Sequence, residues 1–222
     1  MQRGSTFEMP VICQSPVGCC QTTGVTAMLG LPRVRFELAA YSFLRRTVDY
    51  TITDRHRAPL GAVRQRVGSA WRWANRFFAD WYTNPRATLD VLDRAEAVVF
   101  TIEKLTSRWD TIDAVLTTPN GATLGRVSSQ GSRVRRVGAR FLDASGAWVA
   151  TAQRTRGFDF VVRNGAGETL ATVTKDVVTL FSMREGRGNL NAYEIEFASA
   201  ADSLVRILTL ATGVCFDLRH SN

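Results

Sequence analysis

Short runs of alternating apolar and polar residues, each closed by turn-forming residues, fill most of the chain. In Val48 to Thr53, Tyr50 and Ile52 share one face and Thr51 and Thr53 the other, the period-two pattern of a strand with one buried side. Val34 to Leu44 is a longer apolar-rich stretch that predicts the opening strand, and Leu60 to Arg66 returns after the Asp54–Pro59 turn. Hairpins then recur: Arg86–Leu92 with Ala97–Lys104, Asp110–Thr117 with Ala122–Ser128, Arg133–Leu142 with Ala147–Thr155, and Phe158–Arg163 with Glu168–Thr174. Between their arms lie Asp93-Arg-Ala-Glu96, Pro119-Asn-Gly121, Asp143-Ala-Ser-Gly146 and Asn164-Gly-Ala-Gly167, turn chemistry where hairpins need it. Tyr193, Ile195 and Phe197 alternate with Glu194 and Glu196 in a last strand.

Two stretches break the pattern. Ser69 to Trp81 carries Trp73 and Phe77 at i, i+4 and reads as an aromatic helix interleaved with Arg72 and Arg76. Such a composition suits a membrane interface, and it equally suits a lid over the open end of a barrel. The second, Ser203 to Leu218, is apolar nearly all round as a helix, interrupted only by a stripe through Arg206, Gly213 and Asp217. A helix of that kind is buried in protein or in lipid. It is short for a span and bears a charge near each end, about 16 Å apart at the helical rise, so each charge is expected to find a partner on the surrounding wall or to reach its rim. Ser199 is the expected cap, with Asp202 three residues on.

These elements predict a mainly β fold: a closed antiparallel barrel of about twelve strands around a buried C-terminal helix at about 200–218, closure removing the exposed edges. Residues 1–33 show neither period and are expected to form a disordered arm, leaving 34–222 as one domain. With 222 residues and 45% hydrophobic content the chain is able to bury a full core.

Charge adds one feature. The formal net charge is +8, and since Lys104 and Lys175 are the only lysines, 26 of the 28 basic residues are arginine (28 − 2). Guanidinium-rich surfaces suit phosphates and carboxylates, although an arginine bias in overall composition produces the same count. The four cysteines, Cys13, Cys19, Cys20 and Cys215, form neither a disulfide framework nor a zinc pattern, and a reducing, cytoplasmic setting is expected.

The order of elements resembles the tubby C-terminal-like superfamily, which includes the phospholipid scramblases and LURP-one-related proteins, in its short bacterial members. The resemblance covers roughly 34–219. It is carried by Tyr50-Thr-Ile-Thr-Asp54 with Leu60-Gly-Ala-Val63, Leu89-Asp-Val-Leu-Asp93, Phe141-Leu-Asp143 with Gly146, Phe158-Asp-Phe160 leading to Gly167, Thr172-Val-Thr-Lys175, Tyr193-Glu-Ile-Glu-Phe197 and the hydrophobic terminal helix. The resemblance implies a twelve-stranded barrel threaded by its C-terminal helix and a function at phospholipid. No stretch matches the tubby headgroup motif, and no loop offers the oxygen ligands of a calcium site.

Catalysis is not expected. The only histidines, His56 and His220, lie in a polar turn and in the tail; there is no G-x-S-x-G or Walker A pattern, and Gly165-Ala-Gly167 sits in a hairpin turn. No metal or cofactor is expected. The candidate lipid-headgroup residues are Arg133, Arg135, Arg136, Arg140, Arg154 and Arg156, with Lys104 and Lys175, each basic group adding about 1 kcal/mol at an anionic surface. The candidate membrane-interface residues are Trp71, Trp73, Phe77, Phe78 and Trp81. The expected function is non-enzymatic, peripheral binding of anionic membrane phospholipid from the cytoplasmic side. A protein-interaction scaffold is the alternative reading, followed by sequence-blind nucleic-acid binding through the same arginines.

Overall fold

The structure, a computed structural model, describes residues 28–41, 48–66, 83–84, 86–105, 107–108, 112–129, 138–157, 159–176 and 192–220. Its strands are β1 (Arg33–Tyr41), β2 (Val48–Thr53), β3 (Pro59–Gln65), β4 (Thr83–Asn84), β5 (Ala87–Asp93), β6 (Val98–Lys104), β7 (Ser107–Arg108), β8 (Asp113–Thr117), β9 (Thr123–Ser129), β10 (Gly138–Asp143), β11 (Trp148–Arg154), β12 (Phe160–Arg163), β13 (Thr169–Asp176) and β14 (Ala192–Phe197), and helix α1 spans Ser203–His220. Twelve of these strands close in the order β1-β14-β13-β12-β11-β10-β9-β8-β6-β5-β3-β2. Every pair is antiparallel, and β1 seals the barrel by pairing with both β14 and β2. The expected hairpins are all present; β4 and β7 pair separately as a two-stranded sheet.

Period-two alternation builds the wall. Val34, Phe36 and Leu38 of β1, Tyr50 and Ile52 of β2, Phe100 and Ile102 of β6 and Tyr193, Ile195 and Phe197 of β14 are buried, while their neighbours along each strand face out. Five tight turns, β2–β3, β5–β6, β8–β9, β10–β11 and β12–β13, lie at one end, the turn end. They share one construction, in which a residue in the left-handed region, Arg57, Glu96, Gly121, Gly146 or Gly167, precedes the returning arm. In four of them the side-chain oxygen of Asp54, Asp93, Asp143 or Asn164 accepts N–H bonds two and four residues on, which satisfies the backbone of the bend. The connections between β1 and β2, β3 and β5, β6 and β8, β9 and β10, β11 and β12, and β13 and β14 all leave the opposite end, the loop end.

Helix α1 enters from the turn end and runs toward the loop end. From Ile207 to Leu218 every residue is buried, and contacts arrive from several sides of the wall. Gly125 of β9 faces Leu204 and Leu208, Phe216 meets Phe160 of β12, and Gly213 lies against Phe36 of β1. The helix is therefore the core of the barrel, which explains its lack of a polar face. Buried Thr209 and Thr212 satisfy their hydroxyls by donating to Val205 and Leu208 carbonyls one turn back.

Two expectations at the helix entrance are corrected. Asp202, not Ser199, is the cap: its Oδ1 accepts the Val205 N–H at 2.8 Å, and the helix begins at Ser203. Residues 28–33, expected in the arm, belong to the described structure, and Met28 and Leu29 are only 1% and 2% exposed. The Arg206 guanidinium donates to the Leu29 and Leu31 carbonyls at 2.6 and 2.8 Å, and to Ala201 and Ala198 at 2.9 and 3.5 Å, while stacking over Phe197. Residues 28–32 thus close the turn end beside the start of α1. No described helix is long and apolar enough to cross a membrane.

Candidate functional site

At the loop end the inward positions turn polar. Asp217, in the last turn of α1, is fully buried and accepts hydroxyl bonds from Tyr50 of β2 at 2.7 Å and Tyr193 of β14 at 2.8 Å; the Lys175 ammonium of β13 stands 3.6 Å away. Burial pushes both phenols above their ordinary range, and the neighbouring carboxylate pushes them further, so both remain hydroxyl donors. Burial also lowers the Lys175 amine, against the opposing pull of Asp217. Phe36 stacks on Tyr193 with centroids 4.7 Å apart and meets Tyr50 edge-on at 5.9 Å, fixing both rings.

Lys104 enters the barrel from the other side. Its strand, β6, is six places from β13 in the ring of twelve, so the two lysines face α1 from opposite walls. Lys104 is 1% exposed, and burial lowers its amine to about 8 although the nearby Cys215 thiol opposes that shift. Cys215, fully buried, is raised by desolvation to about 12 and stays a thiol. Two amines at the C-terminal end of a buried helix oppose the negative end of its dipole. The group works as a charged clasp between helix and wall.

Lys104 and Lys175 were expected among headgroup contacts on the surface, and this is corrected. Lys104 continues the inward series Phe100, Ile102, and Lys175 the series Ala171, Val173, so strand parity turns both amines toward the helix.

The outer wall divides into sectors by charge. On β1, β14 and β13, Arg33 pairs with Glu194 at 3.2 Å and with Glu196, and Arg35 pairs with Glu37 and, at 3.2 Å, with Asp176. Around β3, β5 and β6, Arg64 meets Glu96 at 2.6 Å, Arg66 meets Asp90 at 2.7 Å, and Arg86 meets Glu103. Arg126 of β9 stands 3.6 Å from Asp113. On β10–β12, by contrast, the outward positions are Gly138, Arg140, Leu142, Trp148, Thr151, Gln153, Val161 and Arg163, without a carboxylate. Arg140 and Arg163 are both in register with Thr151, one on each side of it. Two inter-strand steps place their Cα atoms about 10 Å apart. Gln153 accepts from Arg163 at 3.2 Å. Asp143, the last residue of β10, and Glu168, in the β12–β13 turn, bond to Ser145 and Asn164.

Of the expected headgroup residues, Arg140 therefore stands on this acid-free sector. Arg154, half-buried, donates to the Gly157 carbonyl where β11 reaches the loop end, and exposed Arg156 follows it. Arg133, Arg135 and Arg136 lie outside the described residues, as do Trp71, Trp73, Phe77, Phe78 and Trp81 and the expected 69–81 helix. The described strands on either side, β9 with β10 and β3 with β5, meet those stretches of sequence at their loop-end termini. Sequence reading missed Arg163, whose register with Thr151 and Arg140 is visible only after pairing, and Asp217's hydroxyl partners. Among the described residues no cluster of three or more His, Cys, Asp or Glu is placed to hold a metal ion.

Protein-family models, curated proteins and solved structures were each compared with this chain, and none of the three comparisons gives a match.

Proposed function

We propose that this barrel is a non-enzymatic, tubby-like and scramblase-related domain that binds anionic membrane phospholipid peripherally through the β10–β12 sector and the arginine-rich connection leading into it. The observation that carries the reading is the acid-free sector itself. Arg33, Arg35, Arg64 and Arg66 pair with carboxylates, which cancels much of their long-range field; the described outward positions of β10–β12 carry Arg140 and Arg163 and no carboxylate, and Arg163 bonds to the neutral Gln153. Basic groups on one face sum their attraction to a negative surface, by about 1 kcal/mol each, within a Debye length. Arg133, Arg135 and Arg136 immediately precede β10 and extend the same basic run in sequence.

Vesicle co-sedimentation tests the reading. At low salt the full chain should sediment with phosphatidylserine-containing vesicles and not with pure phosphatidylcholine, with calcium present or chelated. Equal partition onto both vesicle types would reject it.

A further inference from the structure

Trp148 is the one large hydrophobic side chain exposed among the described residues, at 53%, and it stands on the acid-free sector. A β-bulge puts it there. Phe141 pairs with Ala150 while Leu142 pairs with Trp148, so an extra residue, Val149, is inserted into β11 and Trp148 is turned out of the inward series of Ala150 and Ala152. The ring is held in that position. Its indole N–H donates to the Ala150 carbonyl at 2.9 Å and lies 3.1 Å from Thr151 Oγ1, and its six-membered ring covers Gly165 in the β12–β13 turn, where an added Cβ would fall 3.3 Å from Cζ3.

This geometry uses the ring's only polar atom internally and presents its apolar edge to solvent. Leu142, half-buried, is its cross-strand neighbour, and Arg126 is the next residue in that row. Arg140 and Arg163 flank Thr151, which accepts from the same indole. An oriented aromatic with arginines in the neighbouring rows, and with Asp143 and Glu168 engaged in the two adjoining turns, has the composition of an interfacial anchor: the ring enters the boundary between headgroups and acyl chains while the guanidiniums stay at phosphate level.

We propose that Trp148 is the membrane-insertion anchor of the barrel, so that the molecule lies with the outer wall of β10–β12 against an anionic bilayer. This rests on the lipid-binding reading above and adds an orientation to it. The occupant is a lipid surface because charge complementarity and the apolar centre are both required, and a free anion would use only the arginines.

The experiment uses the full chain with vesicles of about 30% phosphatidylserine in phosphatidylcholine, with and without bromines on the acyl chains as a contact quencher. Trp148→Ala should weaken vesicle affinity about tenfold. Trp148→Phe should keep affinity within about twofold and remove most of the bromine-dependent quenching seen in the parent chain. Unchanged affinity for Trp148→Ala together with unchanged quenching for Trp148→Phe would overturn the anchor while leaving anionic binding intact. Absence of anionic preference in the parent chain would overturn both. Should Trp148→Ala lose its fold, quenching in Trp148→Phe decides.

Discussion

Tyr193 donates its hydroxyl to Asp217 at 2.8 Å, tying the last strand of the wall to the last turn of the helix inside it. The two residues are 24 apart in sequence and belong to one continuous strand–turn–helix segment, so the bond clasps the end of the chain onto itself. Tyr50 makes the matching bond from β2 at 2.7 Å. Hydrogen bonds to a buried charge contribute about 1.5–3 kcal/mol each. Tyr193→Phe should therefore lower unfolding free energy by about 2 kcal/mol, and Asp217→Asn by about 3, because Lys175 then loses its buried counter-charge. Urea titrations check both, and a double-mutant cycle of Tyr50→Phe with Asp217→Asn should show coupling.

Lys104 should have the opposite effect. Its amine falls from the model-compound value of 10.5 to about 8 in the folded chain because burial disfavours the charged form. Between those values the unfolded chain holds the extra proton, so stability rises as pH rises from about 8 toward 10.5. Below about 8 the cost of the buried charge is carried in full. Lys104→Met should raise stability at pH 7 by roughly 1–3 kcal/mol, the dipole of α1 offsetting part of the gain, and should flatten the alkaline rise. Unfolding measured at pH 7 and at pH 10 on both chains gives the comparison.

Gly213 is a helix-interior glycine, and alanine there would ordinarily gain about 1 kcal/mol. Here an added Cβ would sit 2.8 Å from Phe36 Cζ, and that ring is pinned between Tyr193 and Tyr50. Overpacking of this kind costs about 1–3 kcal/mol, so Gly213→Ala should be net destabilising, read as a lower thermal midpoint. Gly213→Ala with Phe36→Leu should recover part of the loss.

Arg206 holds four carbonyls at the turn end. Arg206→Met keeps the stem packed and removes the donors. It should cost about 3 kcal/mol and, in hydrogen exchange, raise the exchange of peptides covering residues 28–33 before those from β5 and β6.

Period two carried most of the fold: every hairpin, the inward faces and the buried helix can be read from spacing and turn residues. The charges on α1 were legible as a stripe, and both found partners on the wall, Arg206 at carbonyls and Asp217 at phenols and an amine. Lys104 and Lys175 also continue inward series, but a lysine is ordinarily solvated, and only the buried helix end gives an interior amine something to oppose. Met28 and Leu29 follow no period, and the carbonyls of Leu29 and Leu31 beside them are held by a guanidinium 177 and 175 residues away in sequence. Trp148 was missed for another reason: alternation from Ala150 points it inward, and the bulge that reverses it, which recurs at the same offset in all five hairpins, becomes visible only once the strands are in register.

The measurement closest to the central claim is anionic-vesicle affinity of the charge-reversed pair Arg140→Glu with Arg163→Glu, beside Arg33→Glu on the carboxylate-paired wall. Both variants leave the interior untouched, so folding is controlled by thermal midpoint. The sector account expects the pair to lose binding to phosphatidylserine vesicles by more than about tenfold at low salt, and Arg33→Glu to change it by less than about threefold. Equal loss from both variants, or none from the pair, would contradict it.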